Sequence, residues 1–548
     1  MRKTLAVALG LTLATASATW AAGTVSGKVT SADGEAMHGV MVSAFDMENQ
    51  VSFTVNSQQD GSFSIEGLDP GTYRVRARLL GQEDSWSEEI EVTDNSAIDG
   101  MSFAMQPAED LNSQRRGSDL IDFVKFDSEE DKRNFKMSCA YCHQIGTIGF
   151  RSPEEPVDWE TMITRMDGFG GLYKHTQETI VSRLLDAYTK EAMANWPEWE
   201  APAAPEGKAL DVKIAEWDLG RQDMTMIHDL EVGADGKIWT VDMINDAIIT
   251  LDPATDARET IAFPGGKDPE TDATPRKGPH SIEVDANGDM WMTLALSGQM
   301  AKYDVDTGEF TIVSSAPDPA PRGMYPHTFR VDSKGIVWYT DAGGAVFSLN
   351  PETLERKRYV LPMKDQRSAG GRGESGGVTP YGIDVAPDGK IWYSKLNGNR
   401  IGVIDPAIED GGIKEYEPPF MGPRRLQVAA DGMVWVPAFG NGNFAKFDPN
   451  TEEWTLYDLP DSEDEIPYAL SIHPTTGDVW ICGTGSDSMY RFIPSTEEVI
   501  TYRMPSRVTY TREVEFGADG SVWVCNSNYP VRHTERGRGS VIRIETGD

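Results

Sequence analysis

Residues 278–293 read GPHSIEVDANGDMWMT, and residues 325–340 read YPHTFRVDSKGIVWYT. Both open near a Pro-His pair, alternate apolar with polar residues, turn at a Gly and resume at a Trp, the pattern of two strands joined by a tight turn. The phrase returns as ADGKIW, PDGKIW, ADGMVW, TTGDVW and ADGSVW, which places tryptophans at 239, 291, 338, 392, 435, 480 and 523. Seven copies spaced 43 to 54 residues apart predict a seven-unit array. Each reads as strand, turn, strand, loop, strand, turn, strand, which is a propeller blade. The last copy, ending GSVIRIETGD, is one strand short, while KIAEWDLG stands unpaired ahead of the first. The ring, over residues 209–548, is therefore expected to close through its N-terminal strand.

The innermost strand of each blade runs down beside the central channel. Eleven residues before each Trp, twelve in the sixth copy, stand His228, His280, His327, Tyr381, Arg424, Tyr468 and Arg512. Five of them follow a proline, which lacks an N–H for the ladder and suits the start of a strand. Hydrogen-bonding or cationic side chains at all seven positions predict a polar ring around the upper mouth, where propellers place ligands. The competing reading is polar residues that merely solvate a wet channel. His228, His280, His327, Tyr381, Arg424 and Arg512 are the candidate catalytic residues. The histidines, with Asp242 or Asp341 near, form a candidate divalent metal site, His280 and His327 being the leading pair. With Lys395, Arg532, His533, Arg536 and Arg538, the ring arginines suggest a cationic mouth that favours a small anionic substrate. The Gly-rich stretch MKDQRSAGGRGESGGVT ahead of Pro380 reads as a lid.

The propeller phrases, of which TPYGIDVAPDGKIWYSKLNGNRIGVIDP is the fullest, resemble the virginiamycin B lyase family over roughly 209–548. That resemblance implies a propeller opening cyclic depsipeptides by metal-assisted elimination with His and Glu. The second strands here end at Asp242, Leu294, Asp341, Lys395, Ala438, Gly483 and Asn526. None is Glu, so no catalytic pair carries over.

Two units precede the ring. Residues 23–108 show short period-two runs such as GTYRVRARL between D-G and P-G turns, which predicts a small antiparallel β-sandwich. Its G-x-V, G-V-x-V, D-G-x-F and L-x-P-G-x-Y phrases resemble carboxypeptidase regulatory-like domains, which implies a fold and no chemistry; a spacer or a carbohydrate-binding role are both open. Residues 119–200 read as helical, with Ser128 as N-cap of a helix that runs into Cys139-Ala-Tyr-Cys142-His143. In an exported protein the spacing C-x-x-C-H is the attachment signature of c-type heme: the thiols of Cys139 and Cys142 bond the porphyrin and His143 ligates the iron. A thioredoxin-like redox pair, the rival, needs a βαβ setting that is absent. The segment resembles small monoheme cytochromes c, which implies a distal Met ligand. Met166 is the choice, with Met162 and His175 as alternatives.

The opening MRKTLAVALGLTLATASATWAAG (residues 1–23) has the basic tip, apolar run and small residues of a Sec-type signal peptide, assigned to residues 1–22 with cleavage after Ala18 or Ala22. It implies a periplasmic or secreted protein. No later stretch is long and apolar enough for a membrane span. The formal charge of −37 argues against nucleic acid or anionic lipid as partners, and suits solubility. Only four cysteines occur in 548 residues, which excludes a disulfide-stapled scaffold.

The expected fold is therefore mainly β and multidomain: a small β-sandwich, an all-α cytochrome c domain and a seven-bladed β-propeller closed by an N-terminal strand. The expected function is a heme c electron-transfer protein, part of an oxidoreductase with a redox partner protein. A metal-dependent lyase, or a non-catalytic binding propeller that carries a cytochrome, are the alternatives.

Overall fold

The computed structural model describes residues 22–146, 158–168, 174–222, 224–268, 271–272, 274–316, 324–362, 380–460, 463–529 and 534–547. Residues 1–21, which hold all but the last position of the expected signal peptide, the expected lid 363–379 and residues 530–533 lie outside them. No described helix is long and apolar enough to cross a membrane.

Six four-stranded antiparallel sheets follow one another from Ile227 to Arg503. The seventh comprises Thr511–Phe516, Val522–Asn526 and Gly539–Glu545, and its fourth strand is Lys213–Leu219, with Trp217 opposite Val541. The repeated Trp packs into the next blade: Trp239 shares a core with Ile282, Met290 and Met292. An aromatic side chain buries roughly 150–250 Å², so each such seam gains about 4 kcal/mol or more. The Asp that starts the turn receives the indole N–H, Trp291 to Asp285 at 3.1 Å and Trp338 to Asp332 at 2.9 Å. In these two blades the bond ties the turn to the Trp.

The N-terminal sandwich is not a detached spacer. Its first sheet holds Gly23–Ser31 between Ser62–Leu68 and Ala97–Met105. Its second runs from Gly71–Arg78 through Met41–Asp46 to Val51–Asn56, and this last strand pairs antiparallel with Lys213–Leu219, Val51 opposite Trp217. One nine-stranded sheet therefore crosses from the sandwich into the closing blade. Arg78 pins the junction by bonding Glu535 at 2.7 and 2.9 Å, and Arg536 bonds Asp218 at 2.6 Å and Ser52 at 2.7 Å.

The expected all-α cytochrome c domain is corrected. Among the described residues the middle segment holds five short helices, α1 (Gly117–Ile121), α2 (Glu129–Cys139), α3 (Trp159–Gly168), α4 (Lys174–Ala187) and α5 (Lys190–Met193). At 5, 11, 10, 14 and 4 residues they are too few and too short to enclose a core of their own. Their buried residues, including Leu120, Phe135, Met137, Ile180, Leu184 and Tyr188, belong to one core with Tyr381, Phe439, Tyr468 and Tyr510 of the propeller. The helices form a cap on the ring. Ser128 does cap α2, its Oγ accepting from the Asp131 N–H at 3.2 Å.

Candidate functional site

Each innermost strand begins with an irregularity that explains the ring. In six blades the register slips between the first paired residue and the third after it, as from Ile227 to Leu230 and from Pro279 to Ile282. Such bulges re-aim side chains at functional edges. All seven ring residues are buried, from Arg424 at 0 % exposure to His327 at 5 %. Their rings touch in series: His228 to His280 at 3.6 Å between centroids, His280 to His327 at 4.1 Å and His327 to Tyr381 at 4.0 Å. The Tyr381 and Tyr468 hydroxyls lie 2.6 Å apart.

A second device, missed in the sequence, holds these positions. The residue two after the Trp bonds the backbone of the next ring member. Thr293 donates to the His327 carbonyl at 2.9 Å and Thr340 to the Tyr381 carbonyl at 2.8 Å, while Ser394 donates to that of Arg424. Cys525 does the same weakly to the His228 carbonyl at 3.3 Å, across the closing seam. The recurring hydroxyl after W-x was the available signal. Cys482 and Cys525 are free.

The mouth is not open. The C-x-x-C-H loop stands on it, and three consecutive carbonyls of the loop are received by the propeller. Tyr510 Oη donates to Ala140 and, at 3.0 Å, to Tyr141; Arg424 Nη2 donates to Tyr141 at 2.9 Å; Arg512 Nη2 donates to Cys142 at 2.9 Å. Tyr141 also packs edge-on against Tyr381, with centroids 6.4 Å apart. Behind the loop, Gln144 Nε2 bonds Asp487 at 2.8 Å and the Thr509 carbonyl at 3.0 Å. The buried Lys136 approaches Asp464 at 3.4 Å.

Neither Cys139 nor Cys142 is in a disulfide among the described residues, and each is partly exposed. His143 Nδ1 lies 2.9 Å from the Gln144 carbonyl. As a donor there it fixes the ring and leaves Nε2 as the free lone pair, the arrangement of a metal-ligating His. Burial lowers the His143 pKa, which keeps that nitrogen unprotonated. The donor set thus fits a c-type heme. Met166, on α3, is half-buried, as is Met162; the His175 side chain lies outside the described residues.

Other expected members of the mouth are engaged in bonds of their own. Asp242 accepts from Met226 N at 3.1 Å and from Asn245, and Asp341 accepts from Tyr325 N at 2.7 Å, so both brace strand entries. Lys395 pairs with Glu415. Arg536 serves the sandwich seam and Arg538 donates to the Gly220 carbonyl at 2.6 Å. Arg532 and His533 lie outside the described residues. His228, Asp229 and His280 bring potential metal-binding atoms within 4.8 Å of one another. Burial holds the three ring histidines well below their usual pKa, with neighbouring arginines and histidines adding to it.

The far end of the channel differs in charge. A cavity of about 280 Å³ there is lined by Glu231, Glu283, Arg330, Asp384 and Glu515, among others. Some of these carboxylates clasp the next blade: Glu231 accepts from Val284 N at 3.2 Å and Asp384 from Val428 N at 2.7 Å. Burial pushes Glu231 up to about 7 and Glu283 up to about 8.

Comparison with known proteins matches the two β units. Residues 24–106 match the carboxypeptidase regulatory-like domain, and residues 372–546 match the virginiamycin B lyase family. A streptogramin B lyase structure aligns at 20 % identity and a TM-score of 0.51, covering 62 % of this chain and 100 % of that one. The selenomethionine-substituted virginiamycin B lyase from Staphylococcus aureus aligns at 18 % identity and a TM-score of 0.49, covering 61 % and 99 %. Identity at this level speaks to the propeller fold alone. No curated protein matches the sequence.

Proposed function

We propose that this protein is an exported redox protein that carries one c-type heme at the propeller mouth and exchanges electrons with a partner protein. Cys139 and Cys142 would hold the porphyrin, and His143 and Met166 would hold the iron. The bound heme supplies one-electron chemistry, and His/Met ligation favours electron transfer. The observation that carries the reading is the seating of Ala140, Tyr141 and Cys142 on Tyr510, Arg424 and Arg512. A surface helix that ended in an unused Cys pair would not need three ring residues to hold its backbone. The ring fixes the motif, and the cap's shared core fixes α2.

The test is a visible spectrum and intact mass of the full-length protein produced with heme-maturation machinery. A c-type spectrum and the mass of one covalent heme, both lost in Cys139→Ala/Cys142→Ala, support the reading. A protein of unmodified mass and no c-type bands overturns it.

The family match over 372–546 favours a second reading, a metal-assisted lyase. The second-strand ends in that stretch are Lys395, Ala438, Gly483 and Asn526, with no acid among them, and the cap stands over the mouth. Incubation with a streptogramin B and Mg²⁺ decides it: ring opening by the heme-free protein would restore the lyase.

A further inference from the structure

The arginines of the channel are ion-paired in one layer and not in the next. Just below the mouth, Arg425 takes both oxygens of Asp229 at 3.0 and 2.9 Å and also pairs with Glu513. Arg330 reaches Glu513 at 3.3 Å and Asp384 at 3.8 Å. In the mouth layer, Arg424 and Arg512 are 0 % and 2 % exposed. No ion pair serves either of them among the described residues. Arg424 Nε and Nη1, Arg512 Nη1 and His280 Nδ1 are buried without a hydrogen-bond partner.

A guanidinium does not shed its proton, so two full charges stand in this layer without a counter-charge. Tyr468 and Phe439, 3.5 and 4.0 Å from the Arg424 guanidinium, and Tyr510, 4.7 Å from that of Arg512, offset part of that cost. The remainder asks for an anion, because a buried charge persists only when paired. Both guanidiniums also reach the same stretch of the loop. They donate to the carbonyls of consecutive residues, Tyr141 and Cys142, whose Cα atoms are about 3.8 Å apart.

We propose that the mouth layer binds one small carboxylate anion, its oxygens shared between Arg424 and Arg512. The site goes beyond the heme reading and does not depend on it, because every group named belongs to the propeller. It would set a carboxylate against the peptide unit that joins Tyr141 to Cys142. The divalent metal expected of the ring histidines is disfavoured by the same charges. Asp229 is already taken up by Arg425 and by His228 Nδ1 at 2.9 Å, and two uncompensated cations flank the layer.

The test is isothermal titration of the full-length protein, as matured, with acetate and formate, alongside acetamide, chloride and Zn²⁺. The expected result is one saturable site for acetate or formate, silence with acetamide, and no competition by chloride. In Arg512→Gln the affinity should fall about tenfold or more, and in Arg512→Lys, which keeps the charge, by less. Thermal unfolding of each variant checks that it is folded, and the lysine variant reads out if the glutamine variant is not. No heat with either carboxylate, equal heat with acetamide or chloride, or a Zn²⁺ site with silent carboxylates would each overturn the proposal. The visible spectrum of the same samples keeps the outcomes apart, since carboxylate binding in a protein without c-type bands retains this site and removes the heme.

Discussion

Arg424 Nη2 donates to the carbonyl of Tyr141 at 2.9 Å, although the two residues are 283 positions apart in the sequence. A ring residue of the fifth blade thereby holds the middle of the Cys-Ala-Tyr-Cys-His motif. The same guanidinium donates to Tyr381 Oη at 2.7 Å. Propeller and cap meet through one fully buried side chain.

Tyr510→Phe removes the hydroxyl that serves the Ala140 and Tyr141 carbonyls and keeps the ring. The expected cost is about 1–2 kcal/mol, concentrated in the cap. Limited proteolysis should cut the 139–146 loop faster than in the parent. Cleavage only after global unfolding would contradict the role given to Tyr510.

Thr340→Val deletes the hydroxyl bonded to the Tyr381 carbonyl and facing Thr328 N at 3.3 Å. Leaving those buried groups unmatched should lower stability by about 1–3 kcal/mol in urea unfolding. Cys525→Ser, which substitutes a better donor to the His228 carbonyl, should hold or raise the midpoint.

Glu535→Gln tests the sandwich junction. Arg78 and Arg76 hold the Glu535 carboxyl down to about 2, against desolvation that raises it. A carboxyl depressed in the fold stabilises above its unfolded pKa and loses that contribution as pH falls through about 2. With the Glu535 side chain 28 % exposed, the glutamine variant should lose about 2 kcal/mol at neutral pH, less than a wholly buried pair. A loss that persists undiminished at the acid end would sink the assignment.

At the far end of the channel the sign reverses. Glu283 sits at about 8 and Glu231 at about 7 in the fold, both above the ordinary 4.5. Their stabilising contribution is complete below about 4.5 and is lost as pH rises through 7 to 8. Glu283→Gln should flatten the decline of the unfolding midpoint between pH 5 and 8. An unchanged slope would show that Glu283 ionises freely in the channel.

The blades were legible because each repeats a local instruction, a Gly in the turn and a Trp three residues after it. The inner ring was legible from the same register, since Pro and the Trp offset fix where each strand begins. Burial of the ring was not, because the loop that covers it comes from residues 140–142 and is brought there by contacts hundreds of positions away. The cap was misread for a related reason. Helical periodicity in residues such as Ile180, Leu184 and Tyr188 announces a face to be buried and does not name its partner. That partner is the propeller, so the expected separate domain dissolves into a shared core. Arg536 was misassigned because the sandwich seam it serves has no local signature.

The nine-stranded sheet sets an order of events. Strand Lys213–Leu219 has two neighbours, Val51–Asn56 on one edge and Gly539–Glu545 on the other. The first lies some 160 positions upstream of it and the second more than 300 downstream. During synthesis the upstream neighbour is available long before the last blade exists. The sandwich can therefore act as a chaperone in cis, shielding one edge of a strand that would otherwise wait exposed on both. The other edge must wait for Gly539–Glu545, a pairing of large sequence separation that comes after the other blades have been made. A nascent polypeptide that stalls before Gly539 would present an unfinished sheet to its neighbours, already primed on one side for the wrong partner.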